Sequence, residues 1–114
     1  MKLQIEGQKF RVRIDELELA SLLDGRALHS VTRFADAFSI RVVIEPDEGE
    51  AATFTGEAAA WRIGVPVKDL RQHAARLPSR DGLHYTLQSQ LGAAALELLF
   101  DVDVRDSVRR RRNS

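Results

Sequence analysis

Residues 2–14 read KLQIE, Gly7-Gln8, KFRVRI, and no other stretch constrains the fold as tightly. A two-residue turn at Gly7-Gln8 sets Glu6 opposite Lys9, Ile5 opposite Phe10, Gln4 opposite Arg11 and Leu3 opposite Val12. Every apolar side chain then falls on one face of the hairpin and every polar one on the other. Turn length and alternation agree, and a slip of one residue would invert both faces, so the register is fixed. Such a hairpin is not stable alone in water. Its apolar face needs another layer to cover it.

A short helix follows. Asp15 is a natural N-cap with Glu18 three residues on, a capping-box spacing, and Ile14 before the cap can staple onto Leu19. Leu19, Leu22 and Leu23 form an apolar stripe and Gly25 is the expected stop. "LHSVTRF" and "FSIRVVIE" read as strands, and the acidic, turn-rich "PDEGE" from Pro46 to Glu50 reads as a break. The order then recurs. "ATFTG" and "AWRIGV" predict a second hairpin, with Phe54, Trp61, Ile63 and Val65 inward. Pro66 suits a first helical position, and Val67, Leu70, Ala74 and Leu77 share a helical face that Pro78 ends. "LHYTLQ" and "ALELLFDVDV" supply two more strands, the last with Leu96, Leu98, Phe100, Val102 and Val104 on one face.

The expected fold class is therefore α+β, with antiparallel sheet and two short helices in one domain over residues 1–104. Its halves, 1–46 and 51–104, have the same strand-strand-helix-strand-strand order. Phe10-Arg11-Val12 aligns with Trp61-Arg62-Ile63, Leu19 with Leu70, Leu28-His29 with Leu83-His84, and Ile40 with Leu96. An offset of about 50 residues lies in the range of internal repeats. Two readings stay open: a duplicated unit packed with pseudo-twofold symmetry, or two α+β halves that share an order by chance.

Composition narrows the function. The chain has 114 residues, 44% of them hydrophobic, enough for one core. It has no cysteine, which excludes disulfides, thiolate metal sites and a cysteine nucleophile. No apolar run approaches the roughly 20 residues that span a bilayer, so the expectation is a soluble, cytoplasmic protein with no membrane span. The net charge of zero hides an asymmetry. Residues 105–114 hold five arginines and one aspartate, leaving 12 of the 17 basic and 16 of the 17 acidic side chains for the rest. The body is mildly acidic, which argues against a nucleic-acid-binding face. The tail is expected to be disordered, with a weak, salt-sensitive nucleic-acid contact through Arg109, Arg110, Arg111 and Arg112 at most.

One resemblance rests on particular residues. Ile5, Gly7, Phe10, Arg11 and Arg13, then Leu22 and Gly25, then "WRIGVPVKDLRQHAARL" and "LELLFDVD", together resemble a family of small bacterial proteins of unknown function over most of residues 1–104. The resemblance implies a compact α+β domain and no established activity. Members of that family often carry a cysteine just after the last strand. This chain has none, so no metal or thiol role carries over.

The candidate functional residues are few. Arg11, Arg13, Arg41 and Arg62 fall on expected strands, and guanidinium forks suit carboxylate or phosphate. Gathered on one outer sheet face they would form an anion site. Neutralised by neighbouring acids they are an ordinary solvated face. His29, His73 and His84 lack metal-site spacing and read as surface histidines, with no metal and no cofactor expected. Asp101 and Asp103 alternate onto an expected solvent face. No GxSxG elbow and no Gly-rich phosphate loop occurs, so no catalytic residue is assigned. The Trp and Phe residues all fall on apolar faces. The expectation is a non-enzymatic protein that acts through a protein partner or as a homo-oligomer, through a sheet edge or through Val43 and Leu99. The alternatives are a binder of small anions or acidic peptides, and an enzyme with an unrecognised site.

Overall fold

β1 (Lys2–Glu6) and β2 (Lys9–Asp15) pair antiparallel in the register the sequence dictates, from Glu6 opposite Lys9 to Lys2 opposite Arg13. The computed structural model describes residues 1–79 and 81–104; the basic run Arg109 to Arg112 lies outside the described residues. α1 (Glu16–Leu23) starts on the expected capping box. Asp15 Oδ1 accepts from the Glu18 amide at 2.7 Å, and Glu18 Oε1 accepts from the Asp15 amide at 3.1 Å. These bonds satisfy two of the amides that a helix start leaves unpaired.

β3 (Leu28–Phe34) and β4 (Phe38–Asp47) follow. β4 continues through Pro46, one residue beyond the start of the expected break. The β3–β4 ladder ends at Leu28 opposite Ile44, so the missing proline N–H costs no bond on that side. β5 (Thr53–Glu57) and β6 (Ala60–Pro66) form the second hairpin. Pro66 closes β6 and caps α2 (Val67–Ala75) instead of occupying its first turn. The helix ends at Ala75, so Leu77 lies past it yet still packs against the core. β7 (Leu83–Leu87) and β8 (Leu96–Asp103) complete the fold.

The strands form two four-stranded sheets, β1-β2-β8-β7 and β3-β4-β6-β5. Neither half builds its own sheet: each sheet takes one hairpin from each half. The outer pairs are antiparallel, as expected, but the central pairs β2–β8 and β4–β6 are parallel. Parallel neighbours cannot be joined by a tight turn, so these pairs arise only between segments far apart in the chain. Exchanging β1-β2-α1-β3-β4 with β5-β6-α2-β7-β8 converts one strand order into the other, with the same pairing sense at each step.

The core lies between the sheets. Phe10 of β2 meets Phe54 and Trp61 edge-on across it, with ring centroids 5.7 and 5.6 Å apart. Val12, Ile14, Val42, Ile44, Ile63 and Val65 are buried there, with Leu98, Phe100 and Val102 of β8. The helices touch each other and contribute Leu19, Leu22 and Leu70. Two expectations about side chains are corrected. Phe34 and Phe38 stack at the tip of the β3–β4 hairpin and remain 45% and 54% exposed, because that tip extends past β6, which pairs with β4 only from Arg41 onward. His73 is buried, because it takes the place on α2 that Leu22 takes on α1.

Candidate functional site

The four arginines do not gather. Arg11 and Arg13 stand on the outer face of one sheet, Arg41 and Arg62 on that of the other. Arg11 Nε donates to Asp101 Oδ2 at 2.9 Å, with Nη2 at 2.7 Å from the same oxygen, and Arg13 Nε donates to Oδ1 at 3.0 Å. Asp101 was expected on an open solvent face. It is only 17% exposed, gripped between the two forks. Arg62 stands 3.7 Å from Glu45. A cleft of about 300 Å³ beside Arg11 and Arg13 also contains Ser79, Asp101 and Asp103, so among the described residues its two cations face two carboxylates. That balance leaves little net field for an anion.

The histidines separate too. His29 and His84 are exposed, as expected. His84 Nε2 contacts Glu97 Oε2, and Thr86 Oγ1 donates to the same carboxylate at 3.1 Å. The hydrogen bond from His84, then that from Thr86, holds Glu97 below the usual carboxylate range. His73 is the one buried polar residue among those described. Its Nε2 has no partner, and its Nδ1 lies 3.4 Å from Arg76 Nη2. Burial, then the Arg76 charge, lowers its pKa, with Asp101 pulling weakly the other way. Tyr85 donates to Asp69 Oδ2 at 2.7 Å; burial and this bond push the phenol well up. No cluster of metal-ligating side chains occurs among the described residues. Val43 and Leu99 are half-buried, each in register opposite an arginine (Arg62 and Arg11) whose stem offers cover.

The feature that sequence reasoning missed is a groove. β5 and β7 are edge strands, one of each sheet, and among the described residues each pairs on one side only. Between them and the β7–β8 connection lies a groove of about 640 Å³. Its apolar lining includes Phe54, Ala52, Leu87, Ala94 and Leu96, and its polar lining Thr53, Thr55, Thr86, Gln88, Ser89 and Gln90. Among the described residues none that lines it is charged, in a chain that is 30% charged. The β7–β8 connection, residues 88–95, supplies one wall. Its counterpart between β3 and β4 is a turn of only three residues, 35–37. The longer connection is organised by Ser89, whose Oγ accepts from the amides of Leu91 and Ala93 at 3.2 and 3.1 Å, and it displays Leu91 at 96% exposure. A signal was present: residues 51–56 and 85–96 carry no charged side chain. Nothing local brings those two runs together. Only the crossing of hairpins between halves does. No family model, curated protein or solved structure matches the chain.

Proposed function

We propose that this protein is a non-enzymatic contact module whose β5–β7 groove receives an uncharged, extended segment of a partner protein. The observation that carries this reading is the charge-free groove between two open sheet edges. An edge strand offers a row of unpaired backbone groups, and an extended peptide can complete the ladder while alternate side chains enter the groove. A charged side chain brought there would be desolvated without a counter-ion, which excludes acidic or basic segments. The hydroxyls and amides of the lining can satisfy polar groups of a neutral one. The anion-binding alternative is weakened by Asp101, which already occupies Arg11 and Arg13. Against the enzyme alternative, no serine or threonine hydroxyl hydrogen-bonds a histidine among the described residues, and Thr86 at the groove donates to Glu97. The resemblance to the uncharacterised bacterial family is part of this proposal and adds no activity to it. So is the reading of the two halves as one unit used twice. The cysteine-free composition favours a cytoplasmic setting, and no helix among the described residues is long and apolar enough to cross a membrane.

Trp61, the single tryptophan, reports on the groove, because its ring stands 6.0 Å from that of Phe54 in the groove lining. Capped, uncharged peptides of alternating Val and Thr or Ala and Gln should shift its fluorescence. Matched peptides carrying Lys or Glu should not. Thr55→Lys or Leu87→Lys should abolish the shift. No response to any neutral peptide, or equal responses from neutral and charged ones, would refute the reading.

A further inference from the structure

The edge of the first sheet farthest from the groove carries a different kind of signal. β1 pairs with β2 on one side and with no strand on the other among the described residues. Its sequence, Lys2-Leu3-Gln4-Ile5-Glu6, is self-complementary about Gln4. Laid antiparallel against a copy of itself with a twofold axis through Gln4, it sets Lys2 opposite Glu6 twice, Leu3 opposite Ile5 twice, and Gln4 opposite Gln4. Opposed residues of an antiparallel pair share a face. The two Lys–Glu pairs therefore fall on the outer face, with the β2 arginines, and the Leu–Ile pairs on the inner face, with Val12 and Phe10.

The other three edges lack this match. About its centre β3 would set Arg33 opposite His29, β5 would set Phe54 opposite Gly56, and β7 would set His84 opposite Thr86. Two further observations point to the same edge. Ile5 is 62% exposed although it stands on the core-facing side of its strand, opposite buried Phe10. Neither Lys2 nor Glu6 enters an ion pair among the described residues. An open edge normally carries charges that repel a copy of itself. Here the two charges attract one.

We propose that two copies of this chain join through their β1 edges as a twofold dimer, merging the two β1-β2-β8-β7 sheets into one of eight strands. The contact is isologous and closes on itself, so it stops at two copies. It is a short interface of five residues per chain, and the dimer is accordingly weak and concentration-dependent. It does not depend on the groove reading, since it uses the opposite edge of the sheet.

Sedimentation velocity of the full chain over a concentration series tests it, with any tag kept away from Met1, whose amine pairs with Glu18. The wild type should approach twice 12.8 kDa at high concentration. Lys2→Glu sets two acids against two acids, Glu6→Lys sets two bases against two bases, and each should raise the dissociation constant roughly tenfold or more. The double variant Lys2→Glu/Glu6→Lys restores both pairs and should return to the wild-type constant. Leu87→Lys, in the groove, should leave it unchanged. A wild type that stays monomeric at every concentration overturns the proposal. So do single reversals without effect, or a double variant that does not recover.

Discussion

Arg11 passes over its register partner Leu99 to grip Asp101, two residues further along β8, at 2.7 Å. Arg62 does the same in the other sheet, passing Val43 to reach Glu45 at 3.7 Å. The backbone repeats the relation: the Glu97 amide donates to Gln8 O at 2.7 Å and the Arg41 amide to Ala59 O at 2.9 Å. The two central parallel pairs thus share a register and a polar device. They differ in one respect. Position 13 of β2 is a second arginine, whereas its counterpart on β6 is Gly64, so Asp101 is held twice and Glu45 once.

That difference sets the cost of breaking each. Asp101→Ala should destabilise by about 1–2 kcal/mol, above the usual surface pair because the carboxylate is mostly buried and shared. Glu45→Ala should cost under about 0.5 kcal/mol, since Arg62 is largely exposed and the pair is long. Urea unfolding of both variants measures this. Asp101→Asn should also free the two forks and create phosphate affinity that the wild type lacks. Equal phosphate binding by wild type and variant would instead favour the anion-binding alternative.

How far the sequence could be read follows from the range of each interaction. The β1–β2 register and the Asp15–Glu18 cap involve neighbours in the chain, and every expected pair is present. The correspondence of Phe10 with Trp61 and of Ile40 with Leu96 is legible because the same apolar rhythm recurs in each strand. What no window of sequence contains is that β2 lies beside β8 and β4 beside β6. The groove depends on that crossing, as does the pairing of Arg11 and Arg13 with Asp101. The burial of His73 is hidden for a related reason. Its type suggests surface, and its burial follows only from its equivalence with Leu22.

His73 should make the protein acid-sensitive. Its folded pKa is depressed, chiefly by burial, so the folded state binds a proton less readily than the unfolded chain. Unfolding then takes up a proton once the pH falls below the ordinary value of about 6.5. The stability associated with neutral His73 is complete above that pH and is lost progressively as pH falls toward and past the folded value. Glu97, depressed by His84 and Thr86, adds its own loss only in the lower carboxylate range. His73→Leu copies what Leu22 does on α1 and removes the unpartnered Nε2. It should raise stability by about 1 kcal/mol at pH 7 and by more at pH 5. Thermal melts from pH 5 to 8 would show a flattened profile in the variant; parallel profiles for the two proteins would contradict the assignment.

Gly56 should tolerate no side chain, whereas Gly7 should. Both have positive φ, +110° and +56°. A Cβ at Gly7 meets open space, so Gly7→Ala should cost about 1 kcal/mol from backbone strain alone. A Cβ at Gly56 would overlap the Ala60 carbonyl across the β5–β6 turn. Gly56→Ala should therefore cost about 2–4 kcal/mol. If β5 forms one wall of the binding groove, the variant should also lose the peptide-induced Trp61 signal at temperatures where it remains folded.

The last prediction concerns the halves. Each sheet takes two strands from each half, and the parallel pairs β2–β8 and β4–β6 supply the joints. A fragment of residues 1–48 keeps β1–β2 and β3–β4 but loses both central neighbours, exposing Phe10, Val12, Val42 and Ile44. Residues 49–114 lose the reciprocal set. Neither fragment can bury these faces as a monomer, because two hairpins that belong to different sheets and one short helix make too small a core. Cut in the exposed bend at Glu48 to Glu50, the two fragments should be largely unfolded when separate and should form a folded one-to-one complex when mixed. Circular dichroism and amide NMR dispersion would follow the recovery. A fragment that folds as a stable monomer by itself would show that the crossing of hairpins is not what holds the fold together.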